Sequence, residues 1–238
     1  MKLMLLFFLL SSVLLFESCN NPRNKKSGEK EGINYSNRTV LDSLIKVTPL
    51  SKDTLFLGFT IGMTKDGYKN HIHRLRKEGK VISYSQSNKY SNLVGGTFEL
   101  GAGYTFKTKI SAEKQDKKLT GEGEYFLEPI YNNNGNLMQL NILPIEKWNE
   151  DYGFGKPSWL EMKIRENSKQ FKNKKLKQTL IDNEFINKYD FIRQKGSLVI
   201  YKTDIILRYI DFKRLLLELL NKQKKKAAIK ENNENIKF

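Results

Sequence analysis

Cysteine occurs once in the 238 residues, at position 19. No intramolecular disulfide can form, so whatever this chain folds into must be held by an apolar core. The material for one is present, since 39% of the residues are hydrophobic, with 14 Phe and 11 Tyr, unlike a disordered composition. The cysteine itself stands at a boundary. Ahead of it, Lys2 gives a short positive start, and residues 3–16 form a run of 14 that only Ser11 and Ser12 interrupt. A helix that crosses the hydrocarbon core needs about 20 apolar residues. Residues 1–18 therefore read as a secretory signal that is removed.

The run closes on Phe16, Glu17, Ser18 and Cys19. This order of apolar, variable, small and cysteine resembles the lipobox of bacterial lipoproteins. The resemblance implies that the Cys19 sulfur carries a diacylglycerol thioether, that cleavage leaves Cys19 at the amino terminus, and that acyl chains such as palmitate hold the mature chain on a membrane. Each buried methylene contributes about 0.8 kcal/mol, and two or more chains anchor stably. Residues 19–38, with Pro22, Gly28 and Gly32 among Lys, Asn and Glu, read as a flexible tether between anchor and folded part.

Lys and Arg number 42 against 26 Asp and Glu, a net charge of +16. Removing residues 1–18 deletes one Lys and one Glu, so the mature chain keeps +16. For an exported protein this charge argues against a nucleic-acid partner and for anionic lipid headgroups or acidic envelope polysaccharides. Solvated lysine faces in a Lys- and Asn-rich chain are the plainer alternative. Two clusters stand out: Lys169, Lys172, Lys174, Lys175 and Lys177, and Lys222, Lys224, Lys225 and Lys226.

Periodicity divides the rest into helices and strands. A helix is expected over residues 39–47, and a Phe-rich strand over 55–61. A second helix opens at Thr64 as N-cap and stops at Gly79, with Tyr68, Ile72 and Leu75 on one side. Alternating or aromatic-rich runs at 81–87, 97–100, 104–110, 123–130 and 137–143 then form an antiparallel meander with one buried and one wet face. Residues 157–180 read as helical, 185–193, 197–203 and 205–211 as strands, and 212 to about 226 as a closing helix with Phe212, Leu215, Leu216, Leu219 and Leu220 in phase. The fold class is α+β, an antiparallel meander with packed helices. It divides into two related helix-plus-meander halves, a domain over 39–145 and a second α+β part over 155–226, followed by a basic polar tail over 227–238.

Phe59, Ile61, Gly62, Met63 and Thr64, leading into an amphipathic helix and a meander, resemble the BamE-type, beta-lactamase-inhibitor-protein-like modules of envelope lipoproteins. That resemblance implies a partner-binding role in outer-membrane assembly. Ile200 to Phe212, with Tyr209, Ile210 and Asp211 before the closing helix, look like the end of many lipoproteins of diderm bacteria.

Few residues offer chemistry. His71 and His73, the two histidines, stand two apart on a helix, about 200° from one another, whereas helical zinc pairs use four-residue spacing. They read as structural, and no metal or cofactor is expected. Glu122 and Glu124 alternate with Gly121 and Gly123 and share one strand face, either as a solvated hairpin or as a carboxylate pair for acid catalysis. Gly95, Gly96, Gly101 and Gly103 lack the phosphate-loop and dinucleotide spacings and read as turns. Cys19, as lipidation site, is thus the one assigned residue. The sequence points to a lipid-anchored envelope protein, facing the periplasm or the cell surface, with a non-enzymatic binding or assembly role and an envelope protein as partner. The alternatives are an envelope hydrolase built on carboxylates and a cationic binder of anionic polymers.

Overall fold

Each helix starts where a side-chain oxygen takes an otherwise free first-turn amide. Asn37 accepts from Val40 N at 3.2 Å and opens α1 (Arg38–Val47). Thr64 accepts from Gly67 N at 3.1 Å and opens α2 (Lys65–Lys77). Ser158 and Asn173 do the same for α3 (Trp159–Asn167) and α4 (Lys174–Asp182), and Asp211 for α5 (Phe212–Asn235). At the end of α2, Lys80 N donates to Leu75 O and Gly79 N to Arg76 O, with Gly79 at φ +69°. This is the paired C-terminal cap that favours glycine. The computed structural model describes residues 33–91, 97–114, 116–153 and 156–235. The signal segment and most of the tether lie outside these residues.

The strands are β1 (Val81–Ser85), β2 (Asn88–Ser91), β3 (Thr97–Leu100), β4 (Gly103–Lys114), β5 (Lys117–Tyr131), β6 (Leu137–Trp148), β7 (Lys169–Gln170), β8 (Ile192–Lys195), β9 (Leu198–Thr203) and β10 (Ile206–Asp211). Eight of them form one sheet in the order β1-β4-β5-β6-β10-β9-β8-β7, and β2 and β3 form a separate hairpin. Every pairing is antiparallel. The protein is therefore α+β, built on a meander. Strands from both halves of the chain share the sheet, because β6 pairs with β10 from Gln139↔Ile210 to Ile142↔Leu207.

Both faces of the sheet carry packed elements, although on one face the outer parts of β4, β5 and β6 stay exposed. On one face, Phe106, Tyr125, Leu127, Leu140, Ile142 and Tyr209 pack with Tyr68, Ile72 and Leu75 of α2 and Leu160 and Ile164 of α3. On the other, Val199, Tyr201 and Ile210 pack with Leu41 of α1, Leu176 and Leu180 of α4, and Leu215, Leu216, Leu219 and Leu220 of α5. The hairpin adds Leu100 over Phe126, Leu143 and Ile206.

Four expected elements differ. The closing helix does not stop near residue 226 but continues as α5 to Asn235, through most of the span expected as a polar tail. Residues 55–61 are apolar because they fill the core under α2, not because they pair as a strand. Leu57 (φ +57°) and Gly58 (φ +81°) turn the run through a 3-10 turn at Phe56–Gly58. The span 157–180 is two helices with β7 between them, since Ser168 leaves the helix in extended conformation and bonds back to the Ile164 carbonyl, and Asn173 starts a new cap. Of 185–193 only the end enters a strand, because Glu184 has φ +59° and Asp190 accepts from Asn187 N at 2.6 Å in a turn. Conversely, β2 was not anticipated, and β4, β5 and β6 extend beyond their apolar cores.

Candidate binding surface

His71 is buried and its ring nitrogens are both occupied. Nδ1 lies 2.8 Å from Arg74 Nη2, and since a guanidinium only donates, Nδ1 accepts. Nε2 therefore carries the proton and donates to Leu57 O at 2.8 Å. His71 thus holds the left-handed turn at Leu57 while its ring meets Phe59 edge-on at 4.5 Å. His73 is exposed. Among the described residues no group of three His, Cys, Asp or Glu side chains could hold a metal ion. Cys19, Gly95 and Gly96 lie outside the described residues. Gly101 N donates to Glu128 Oε1 at 2.8 Å, tying the end of the hairpin to the sheet.

Glu122 and Glu124 do share a face of β5, and each stands in a row of mixed charge. Glu122 lies between Lys109 on β4 and Lys147 on β6, and Glu124 between Lys107 and Ile145. Lys107, Lys109, Glu122, Ile145 and Lys147 are all exposed. This part of the sheet lies beyond the residues that the hairpin covers, and a shallow groove of about 490 Å³ runs over it, lined by Lys109, Lys118, Thr120, Glu122 and Asn149 among others. Glu122 is the one carboxylate among its lining residues. Opposed pairs of this kind contribute about 0.2–1 kcal/mol each. They leave an open polar face with charges of both signs.

The glycines between those glutamates do more for the fold. Tyr125 lies back over Gly123, where a Cβ would come within 2.5 Å of its ring. Its hydroxyl donates to Glu146 Oε1 at 3.1 Å, and the same carboxylate accepts from Trp159 N at 2.9 Å and Leu160 N at 3.4 Å at the start of α3. Burial holds the Tyr125 phenol protonated well above its usual range, with the charge and hydrogen bond of Glu146 adding to the effect. Farther along α3, buried Glu161 pairs with Arg165 at 2.8 Å and Lys202 at 3.2 Å.

Two further hollows flank α3. One of about 280 Å³ has Leu55, Phe56, Leu160, Ile164, Ile200 and Tyr209 in its wall, with Lys163 and Lys195 also lining it. The other, about 350 Å³, is lined by Glu113, Lys118, Trp159, Met162, Lys163 and Glu166. Its Glu166 is engaged by Lys163 at 2.7 Å. No described helix is long and apolar enough to cross a membrane. Comparison with protein-family models, curated proteins and solved structures finds no match to this chain.

Proposed function

We propose that this chain is a lipoprotein of the bacterial cell envelope, anchored by acyl chains on Cys19, that acts by binding a protein partner and not by catalysis. The observation that carries the reading is the position of its one cysteine, three residues after the end of a 14-residue apolar run and ahead of Tyr35, the first core residue among those described. The binding role draws support from the open sheet face, where Glu122 is opposed by Lys109 and Lys147 and not by a second carboxylate. Alternating charge on an exposed face suits recognition through electrostatic complementarity. A role in outer-membrane assembly, as the BamE-type resemblance implies, belongs to the same proposal.

The test is metabolic labelling with a palmitate analogue, combined with membrane fractionation. Wild type incorporates label and partitions with membranes, and Cys19→Ala incorporates none. Label retained by Cys19→Ala would refute the anchor. For the binding role, a partner cross-linked to the wild type is lost when Lys109→Glu and Lys147→Glu are combined. An unchanged cross-link would move the interaction off this face.

A further inference from the structure

The two lysine clusters, distant in sequence, meet at one corner of the molecule, and Tyr35 marks it. The Tyr35 hydroxyl accepts from Asn173 Nδ2 at 2.8 Å, beside Lys172 and Lys174. Its carbonyl accepts from Gln223 Nε2 at 3.1 Å, beside Lys222 and Lys224. Arg38 Nη2 donates to the Gln223 carbonyl at 3.2 Å and adds a guanidinium. Among the described residues, the carboxylate that forms ion pairs with these clusters is Glu184, which is matched by Lys222 at 3.2 Å and Lys226 at 3.7 Å. The Asp182 carboxylate accepts from Gln178, and its carbonyl from Lys226. Lys172, Lys174, Lys224 and Lys225 are exposed, and among the described residues no carboxylate pairs with them. Ile229, one turn beyond Lys225, is 60% exposed and offers an apolar side chain to the same surroundings.

The corner is also where the chain enters the folded unit. From Cys19 to Ile33 there are 14 residue steps, which span at most about 50 Å whatever path they take. We infer that this corner is the membrane-facing surface of the protein: Arg38, Lys172, Lys174, Lys224 and Lys225 lie against anionic lipid headgroups and orient the sheet relative to the bilayer. Basic residues near such a surface each strengthen binding about fivefold, within a Debye length of roughly 8–10 Å. The inference relies on the anchor at Cys19 only for bringing the corner to the membrane. Its affinity for headgroups is measurable without the lipid.

A chain starting at Asn20 keeps every residue of the three cores and cannot be acylated. It is co-sedimented with vesicles of phosphatidylethanolamine and phosphatidylglycerol, and with neutral phosphatidylcholine vesicles. The expected result is binding to the first and not the second. Combining Lys172→Glu, Lys174→Glu, Lys224→Glu and Lys225→Glu lowers binding at least about tenfold, as four contacts of this size require. The same charge change on the sheet face, at Lys107, Lys109, Lys118 and Lys147, changes it by less than about threefold, since those residues would not touch the headgroups. Far-UV circular dichroism checks folding, and the four Lys→Gln changes replace the reversals if those unfold. Equal losses at both places, no preference for phosphatidylglycerol, or retention on heparin without vesicle binding would each overturn the inference. The palmitate label on Cys19 fails or succeeds separately.

Discussion

Asp211 connects three segments from a fully buried position. Its Oδ2 accepts from Ser51 N at 2.8 Å, and its Oδ1 from Lys213 N at 2.9 Å and Arg214 N at 3.3 Å. One side chain thus caps α5 and fixes the strap that carries the chain from α1 toward α2. Burial raises its carboxyl above the ordinary 3.8, against the lowering effect of the three amides and Lys213. A raised native value means that the folded chain holds this proton more tightly than the unfolded one. The associated stability is present at low pH and is lost as pH rises through the native value. The stability of wild type minus that of Asp211→Asn, measured by urea unfolding, should therefore fall as pH rises above the unfolded carboxylate range. A difference that stays constant would contradict this assignment. Such a residue is hard to read in sequence. Asp211 directly precedes a helical run, so its capping was accessible in principle, but its bond to Ser51 links positions 160 apart. That His71 and His73 lie on different sides of α2 follows from helical geometry alone, whereas the acceptor of His71, the Leu57 carbonyl, depends on a left-handed turn that an apolar run conceals.

Helix starts and strand runs were legible wherever a local signal decided them: Thr64 and Gly79 bracket α2 as their chemistry requires, and Asp204 at φ +52° closes the β9–β10 hairpin in the gap between the strands expected over 197–203 and 205–211. The ends of β4, β5 and β6 were not, because their outer residues are polar on one face and owe their pairing to the neighbouring strand. The Gly-Glu-Gly-Glu segment of β5 drew attention to its carboxylates, whereas the structure uses its glycines. Gly123 makes room for Tyr125, Tyr125 holds Glu146, and Glu146 caps α3. Gly123→Ala should therefore destabilise the protein by about 1–3 kcal/mol, the usual range for an overpacked site. In the double variant with Tyr125→Ala, part of that cost disappears because no ring remains to be displaced. Urea midpoints of the four proteins form the cycle. Strict additivity would mean that the Gly123 effect does not run through the Tyr125 ring.

On the scale of the whole molecule, the two halves read from the sequence are joined through backbone and core together. The β6–β10 ladder runs through the middle of the sheet, and on one face residues of both halves, Leu140 and Ile142 with Leu207 and Tyr209, lie in a single cluster with α3. Separating the halves would expose that cluster and break the ladder at once, so neither half keeps a complete apolar face by itself. Unfolding should accordingly be a single cooperative step. Fluorescence of Trp148 and Trp159 reports the end of β6 and the start of α3, and far-UV circular dichroism reports all elements. The two urea curves should superimpose. A fluorescence transition separated from the circular dichroism transition would show that one half survives without the other and that the shared ladder contributes little to cooperativity. Ile142→Ala sharpens the comparison, because its side chain is fully buried at a position paired with Leu207. A loss of about 2–5 kcal/mol is expected for such a truncation. It should move both curves together, since the contact that it removes belongs to both halves.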